Sequence, residues 1–196
     1  MNRRRFLPVL GALLGVAATS EGFAHTPYRQ WAVFRQRFLL ITTTRDDAGA
    51  DALGEDIARV LLERLPASQA QVSRARDWKT LASLLVTRQT ELAVMAHARA
   101  DALFTGEEPY QDFGPSPLRV VVQNAQYRLI CREDFPKHHA FLLSEALMQE
   151  AVALGFAIPA GGVSSQIPAH PGARAFAAGE ALPAAPVDEK EVRRAQ

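Results

Sequence analysis

The chain has 196 residues, 48% of them apolar, with 22 Lys and Arg against 21 Asp and Glu. A near-neutral balance with no Lys/Arg cluster beyond the amino-terminal segment argues against a nucleic-acid binder, which gathers basic surplus on one face. The length suits one domain with a full core, and the single cysteine, Cys131, excludes an intramolecular disulfide.

At the amino end, Arg3-Arg4-Arg5-Phe6-Leu7 precedes the uncharged run Pro8 to Ala18, and small residues stand at Gly22 and Ala24. A positive region, a short apolar core and a small-residue cut site define an export signal, and the arginine pair followed by Phe-Leu fits the twin-arginine type. An uncleaved anchor would need about 20 apolar residues, more than this segment supplies. Residues 1–24 are therefore expected to be removed, which places the protein in the periplasm with His25 as its new terminus. Residues 25–36, carrying Trp31 and Phe34, read as a linker to a single domain over 37–180.

Within that domain Phe38 to Thr43 is a short apolar run with β-branched residues, which predicts a buried strand. Leu53, Ile57, Val60, Leu61 and Leu65 recur at helical spacing up to Pro66. A second strand is predicted over Gln71 to Arg74, then a helix capped by Asp77 with Trp78, Leu81, Leu84 and Leu85 inside. Leu92 to Ala96 predicts a third strand, and Ala98 to Phe104 a short helix stopping at Gly106.

Residues 107–117 form a Pro/Gly-containing loop. Leu118 to Val122 and Tyr127 to Cys131 predict further strand, as one long element or a hairpin. Cys131 reads as a buried, inert strand residue. A helix is expected from Lys137 to Leu154, ended by Gly155; residues 159–165 are Gly/Ser-rich, and 181–196 form an Ala/Pro and charged tail expected to be disordered. Strands alternating with helices imply an α/β three-layer sandwich around a mostly parallel sheet. In such sheets ligands gather at the carboxyl ends of the strands, so the informative loops are Thr42 to Ala50 and Ala96 to Arg99.

Three stretches carry a family resemblance. Glu91-Leu92-Ala93-Val94-Met95-Ala96-His97-Ala98-Arg99, continuing through an Ala-rich helix to Gly106, is similar to a strand, turn and helix of the TAXI-class periplasmic solute-binding proteins that serve TRAP transporters. Here His97 and Ala98 replace the family's Ser-Asp. Thr43 through Leu65 resembles the family's first strand, Gly-rich turn and helix, with Thr43, Gly54, Ile57 and Ala58 in matching places and Thr44, Arg45 and Ala48 replacing glycines. Ile167-Pro168-Ala169-His170-Pro171-Gly172-Ala173 is close to a signature near the family's carboxyl end, read here as a Pro-fixed surface turn with Gly172 supplying a turn conformation.

The resemblance implies one lobe of a type II periplasmic binding protein, because the space between Cys131 and the His-Pro-Gly string is too short for a second α/β lobe. It further implies a non-enzymatic binding protein for a small organic anion, with Thr43, Thr44 and Arg45 from the first loop and His97 and Arg99 after the third strand as contacts. The alternative is an accessory protein that recognises a permease or another periplasmic protein through the surface the missing lobe would cover.

Hydrolase, zinc and nucleotide motifs are absent, so no enzyme class or cofactor is implied. Asp46 and Asp47 read as solvated or capping carboxylates. His25, His97, His138, His139 and His170 lack metal-ligand spacing, although a free amino-terminal His25 would chelate copper through its amine and ring.

Overall fold

The computed structural model describes residues 38–159 and 166–185. The export signal, the linker, His25, residues 160–165 and the tail beyond 185 lie outside the described residues. Along the chain run β1 (Leu40–Thr44), α1 (Ala48–Arg64), β2 (Gln71–Ala75), α2 (Trp78–Val86), β3 (Leu92–Ala96), α3 (His97–Thr105), β4 (Leu118–Gln123), β5 (Tyr127–Arg132), α4 (Lys137–Met148), α5 (Ala151–Leu154) and α6 (Pro171–Ala177).

The five strands form one sheet in the order β2-β1-β3-β5-β4. β1 pairs parallel with β2 and β3, while β5 runs antiparallel between β3 and β4. Helices α1, α4 and α6 pack together on one face, and α2 and α3 cover the other, as right-handed crossovers require. The result is the expected α/β sandwich around a mostly parallel sheet. β3 is fully buried from Leu92 to Met95, and Ile41 lies at its side in β1; such continuous apolar runs belong to strands covered on both faces.

Local chemistry sets the element ends. Asp47 and Asp77 cap α1 and α2 through bonds from Gly49 N, Ala50 N and Thr80 N. α3 stops at Gly106 in the left-handed region, φ 76°. The β4–β5 segment is a hairpin, turned by the Asn124 carboxamide accepting from Gln126 N and Tyr127 N. The helix expected through Leu154 is broken instead at Gln149 and Glu150. The break redirects the chain so that Ala157 exchanges backbone bonds with Gln123, 2.8 and 2.9 Å long, on the outer side of β4. Ala169 lies against Val120 on that side as well.

The His-Pro-Gly string is not the surface turn expected. It starts α6 in the interior, with His170 1% exposed. His170 Nδ1 accepts from Gly172 N at 3.0 Å, and Nε2–H donates to the Phe135 carbonyl at 2.9 Å. Gly172 serves a close approach rather than a turn conformation: a Cβ there would overlap the Lys137 carbonyl and lie 2.8 Å from Phe141 N. Of the expected tail, residues 181–185 are described, and the Pro183 carbonyl accepts from His138 Nδ1 at 2.6 Å. No helix among the described residues is long and apolar enough to cross a membrane.

Two outcomes follow from this packing. Gly172→Ala forces α6 away from α4 and lowers stability by about 1–3 kcal/mol in urea unfolding, the usual cost of overpacking. Burial drives the His139 ring down to about 3 and the His170 ring to about 4. Next to His139, the neighbouring His138 adds to the shift; around His170 the Phe135 bond opposes it and Arg119 and Arg174 reinforce it. The unfolded chain takes up these protons first as pH falls below the ordinary value of 6.5. The melting midpoint is therefore expected to drop progressively from there toward pH 3, and His139→Leu should flatten the decline below pH 4.

Candidate functional site

The carboxyl ends of β1, β2 and β3 share one edge of the sheet with the start of β5 and the β4–β5 turn. Continuing the β1–β3 register sets Arg45 level with Ala96, so the first loop and the start of α3 are neighbours. Sequence-predicted contacts from two distant segments thus meet at one place.

Their surroundings differ. Thr43 and Thr44 are fully buried. The Thr43 hydroxyl donates to Asp51 at 2.8 Å, and Thr44 Oγ1 accepts from Asp46 N at 3.3 Å. Asp51 also binds the Arg74 guanidinium, which reaches Glu55 as well. His97 Nε2–H donates to the Asn124 carbonyl at 3.0 Å, and its backbone N–H to Gln126 O at 3.2 Å, fastening α3 to the hairpin turn. Arg45 is exposed, and its backbone N–H donates to Ala75 O at 3.1 Å. The Arg99 guanidinium stands 5.0 Å over the Trp78 ring, a cation–π arrangement. Neither Arg45 nor Arg99 has an ion-pair partner among the described residues.

The beginning of α1 is already occupied. Asp47 Oδ1 accepts from Gly49 N and Ala50 N at 3.0 Å each, and from the Tyr127 hydroxyl at 2.8 Å. An exposed helix start would hold an anion through those same N–H groups; here the chain's own carboxylate takes that position. Tyr127 seals it, since a Cβ on Gly49 would overlap the phenol oxygen. Burial and the Asp47 charge both raise the Tyr127 phenol above its ordinary value. The α3 start is different: Ala96 precedes it without a side-chain bond.

Beneath α3, Arg128 is 2% exposed and paired with Asp101 at 2.5 Å, with a further bond of 3.4 Å to the His97 carbonyl. A buried guanidinium requires such a partner, and this pair holds the first two turns of α3 on the sheet. Tyr110 is wholly buried; burial raises its pKa, and a side-chain hydrogen bond with Arg99 together with the Arg99 charge opposes the rise. Trp78, Tyr110, Tyr127 and the Arg128–Asp101 pair were not among the residues singled out from the sequence for this site. Each matters through a partner at least ten positions away, which local patterning does not reveal.

Among the described residues no three His, Cys, Asp or Glu side chains group to hold a metal. The Cys131 thiol is buried against the Arg119 carbonyl at 3.6 Å, and burial pushes its pKa far above the ordinary thiol range; it is not a nucleophile. The edge therefore offers guanidinium, imidazole and aromatic groups suited to binding. Asp47→Ala removes the α1 cap and the Tyr127 partner together, and an equilibrium unfolding series should show a loss of about 1 kcal/mol, the common cost of a lost cap. Tyr127→Phe should cost less, and the double variant should fall short of the sum.

Set against protein-family models and curated proteins, the chain matches none of them.

Proposed function

We propose that this protein is an exported, non-enzymatic binding protein of the periplasm, a one-lobed relative of the TAXI-type solute-binding proteins, that docks a carboxylate-bearing protein partner at the carboxyl edge of its sheet. One observation carries this reading: the first-loop helix start is filled by Asp47 and Tyr127, while the Arg45 and Arg99 guanidiniums have no ion pair among the described residues. A small anion would lose the N–H cradle it needs, whereas carboxylates on a protein surface are met by outward guanidiniums. A membrane permease or a soluble periplasmic protein fits the description.

A second reading is favoured by the uncapped start of α3. A small organic anion would sit at that helix start, which no side chain caps, beside His97 and Arg99.

The two separate in one set of measurements. For a protein partner, an abundant periplasmic protein co-purifies with the wild type and is lost from Arg45→Glu/Arg99→Glu, and the melting midpoint stays flat across a panel of small carboxylates. A concentration-dependent rise with one carboxylate, abolished in the same variant, would establish the solute reading instead. Neither response would sink both.

A further inference from the structure

At the opposite, amino edge of the sheet, a half-enclosed cavity of about 350 Å³ opens between the end of α2 and the start of β4. Its apolar walls are Leu85, Val86, Phe113, Pro115, Pro117 and Leu118, and Arg132 stands beside them, held by Asp134 at 2.9 Å. An apolar cavity of about 150 Å³ already accepts a benzene ring, so this one has room for an aromatic side chain.

The cavity belongs to a wider apolar surface. Phe38 is 53% exposed, Leu40 39% and Val86 38%, three of the six large apolar side chains left most open among the described residues. Strand alternation places Leu40 on the same face as Thr42, whose hydroxyl bonds Thr90 at 2.6 Å just beyond α2. Phe38, Leu40 and the end of α2 therefore lie at one end of the sheet, on the face where the cavity opens.

The chain enters the described structure at this end. Ahead of Phe38, across Arg35-Gln36-Arg37, stand Trp31, Val33 and Phe34, an apolar cluster unlike an ordinary polar linker. From Phe38, four extended residues to Phe34 reach about 13 Å and seven to Trp31 about 24 Å. Two strand spacings separate β1 from β5, about 10 Å. The segment is long enough to arrive at the cavity and short enough to be confined near it.

We propose that the segment carrying Trp31 and Phe34 folds back on its own domain and docks in this cavity, with an aromatic ring between the prolines and Leu85 and its face toward the Arg132 guanidinium. The contact would cover Phe38, Leu40 and Val86 and hold the amino-terminal arm at the edge opposite the candidate partner surface. The inference is independent of the proposed function.

Trp31 and Trp78 are the only tryptophans, so the emission of Trp31 is obtained by subtracting the spectrum of Trp31→Phe from that of the unaltered protein. Docking predicts a blue-shifted Trp31 emission shielded from acrylamide. It also predicts that Val86→Glu, on the exposed rim, turns that emission red and quenchable without changing the far-ultraviolet circular dichroism. Phe113→Ser, on the other wall, serves as a second test should the first variant fold poorly. Trp31 emission that is red and quenchable in the unaltered protein overturns the proposal. So does shielding that disappears on dilution, which would assign the cavity to the arm of a second copy, or shielding unaffected by either wall variant.

Discussion

Covering both faces of β1 and β3 is the constraint on which the rest of the molecule depends. These strands present apolar or hydroxyl-bearing side chains on each side, and neither face can be left to water. α1, α4 and α6 close one side, α2 and α3 the other. Because α4 and α6 come late in the chain, the first face is complete only when Gly172 lets α6 settle against Lys137 and Phe141. A motif near the end of the sequence is thus bound into the same layer as the first helix.

The same covering decides what the carboxyl edge can do. Thr42, Thr43 and Thr44 sit in a strand enclosed on both sides, so their hydroxyls turn to Thr90, Asp51 and the Asp46 amide rather than outward. Arg45, one residue later, is past the last covered position and reaches solvent. At α1 the structure meets its helix-end requirement internally, with a carboxylate that costs little because Tyr127 and two amides share it. At α3 no side chain caps the start; the His97 N–H is met by the Gln126 carbonyl of the hairpin turn, beside a guanidinium steadied on an indole.

Much of this was legible in the sequence because it is local. Helical spacing from Leu53 to Leu65, the caps at Asp47 and Asp77, and the stop at Gly106 depend on neighbours within a few residues, and the elements formed where the pattern put them. Direction of pairing is not local: nothing in Tyr127 to Cys131 says that it inserts between β3 and β4, which separate in the chain by more than twenty residues. The break after Met148 answers a strand edge at Gln123. The buried role of His170 depends on Phe135, thirty-five positions earlier. For the candidate site, the residues named from the sequence fall at one edge of the sheet, but the orientation of the threonines and the sealing of α1 by Tyr127 required the fold.

The two margins of the sheet are unlike, and this has a consequence for assembly. Along β4 the returning chain occupies the outer hydrogen-bonding positions at Val120 and Gln123. Along β2, beyond its pairing with β1, no further strand is added among the described residues. A head-to-tail chain of copies, β4 of one against β2 of the next, is therefore barred at one of its two surfaces. Sheet extension between molecules is restricted to β2 against β2 across a two-fold axis, which uses up both free margins at once. Such growth terminates at two copies, so the fold carries its own safeguard against fibres.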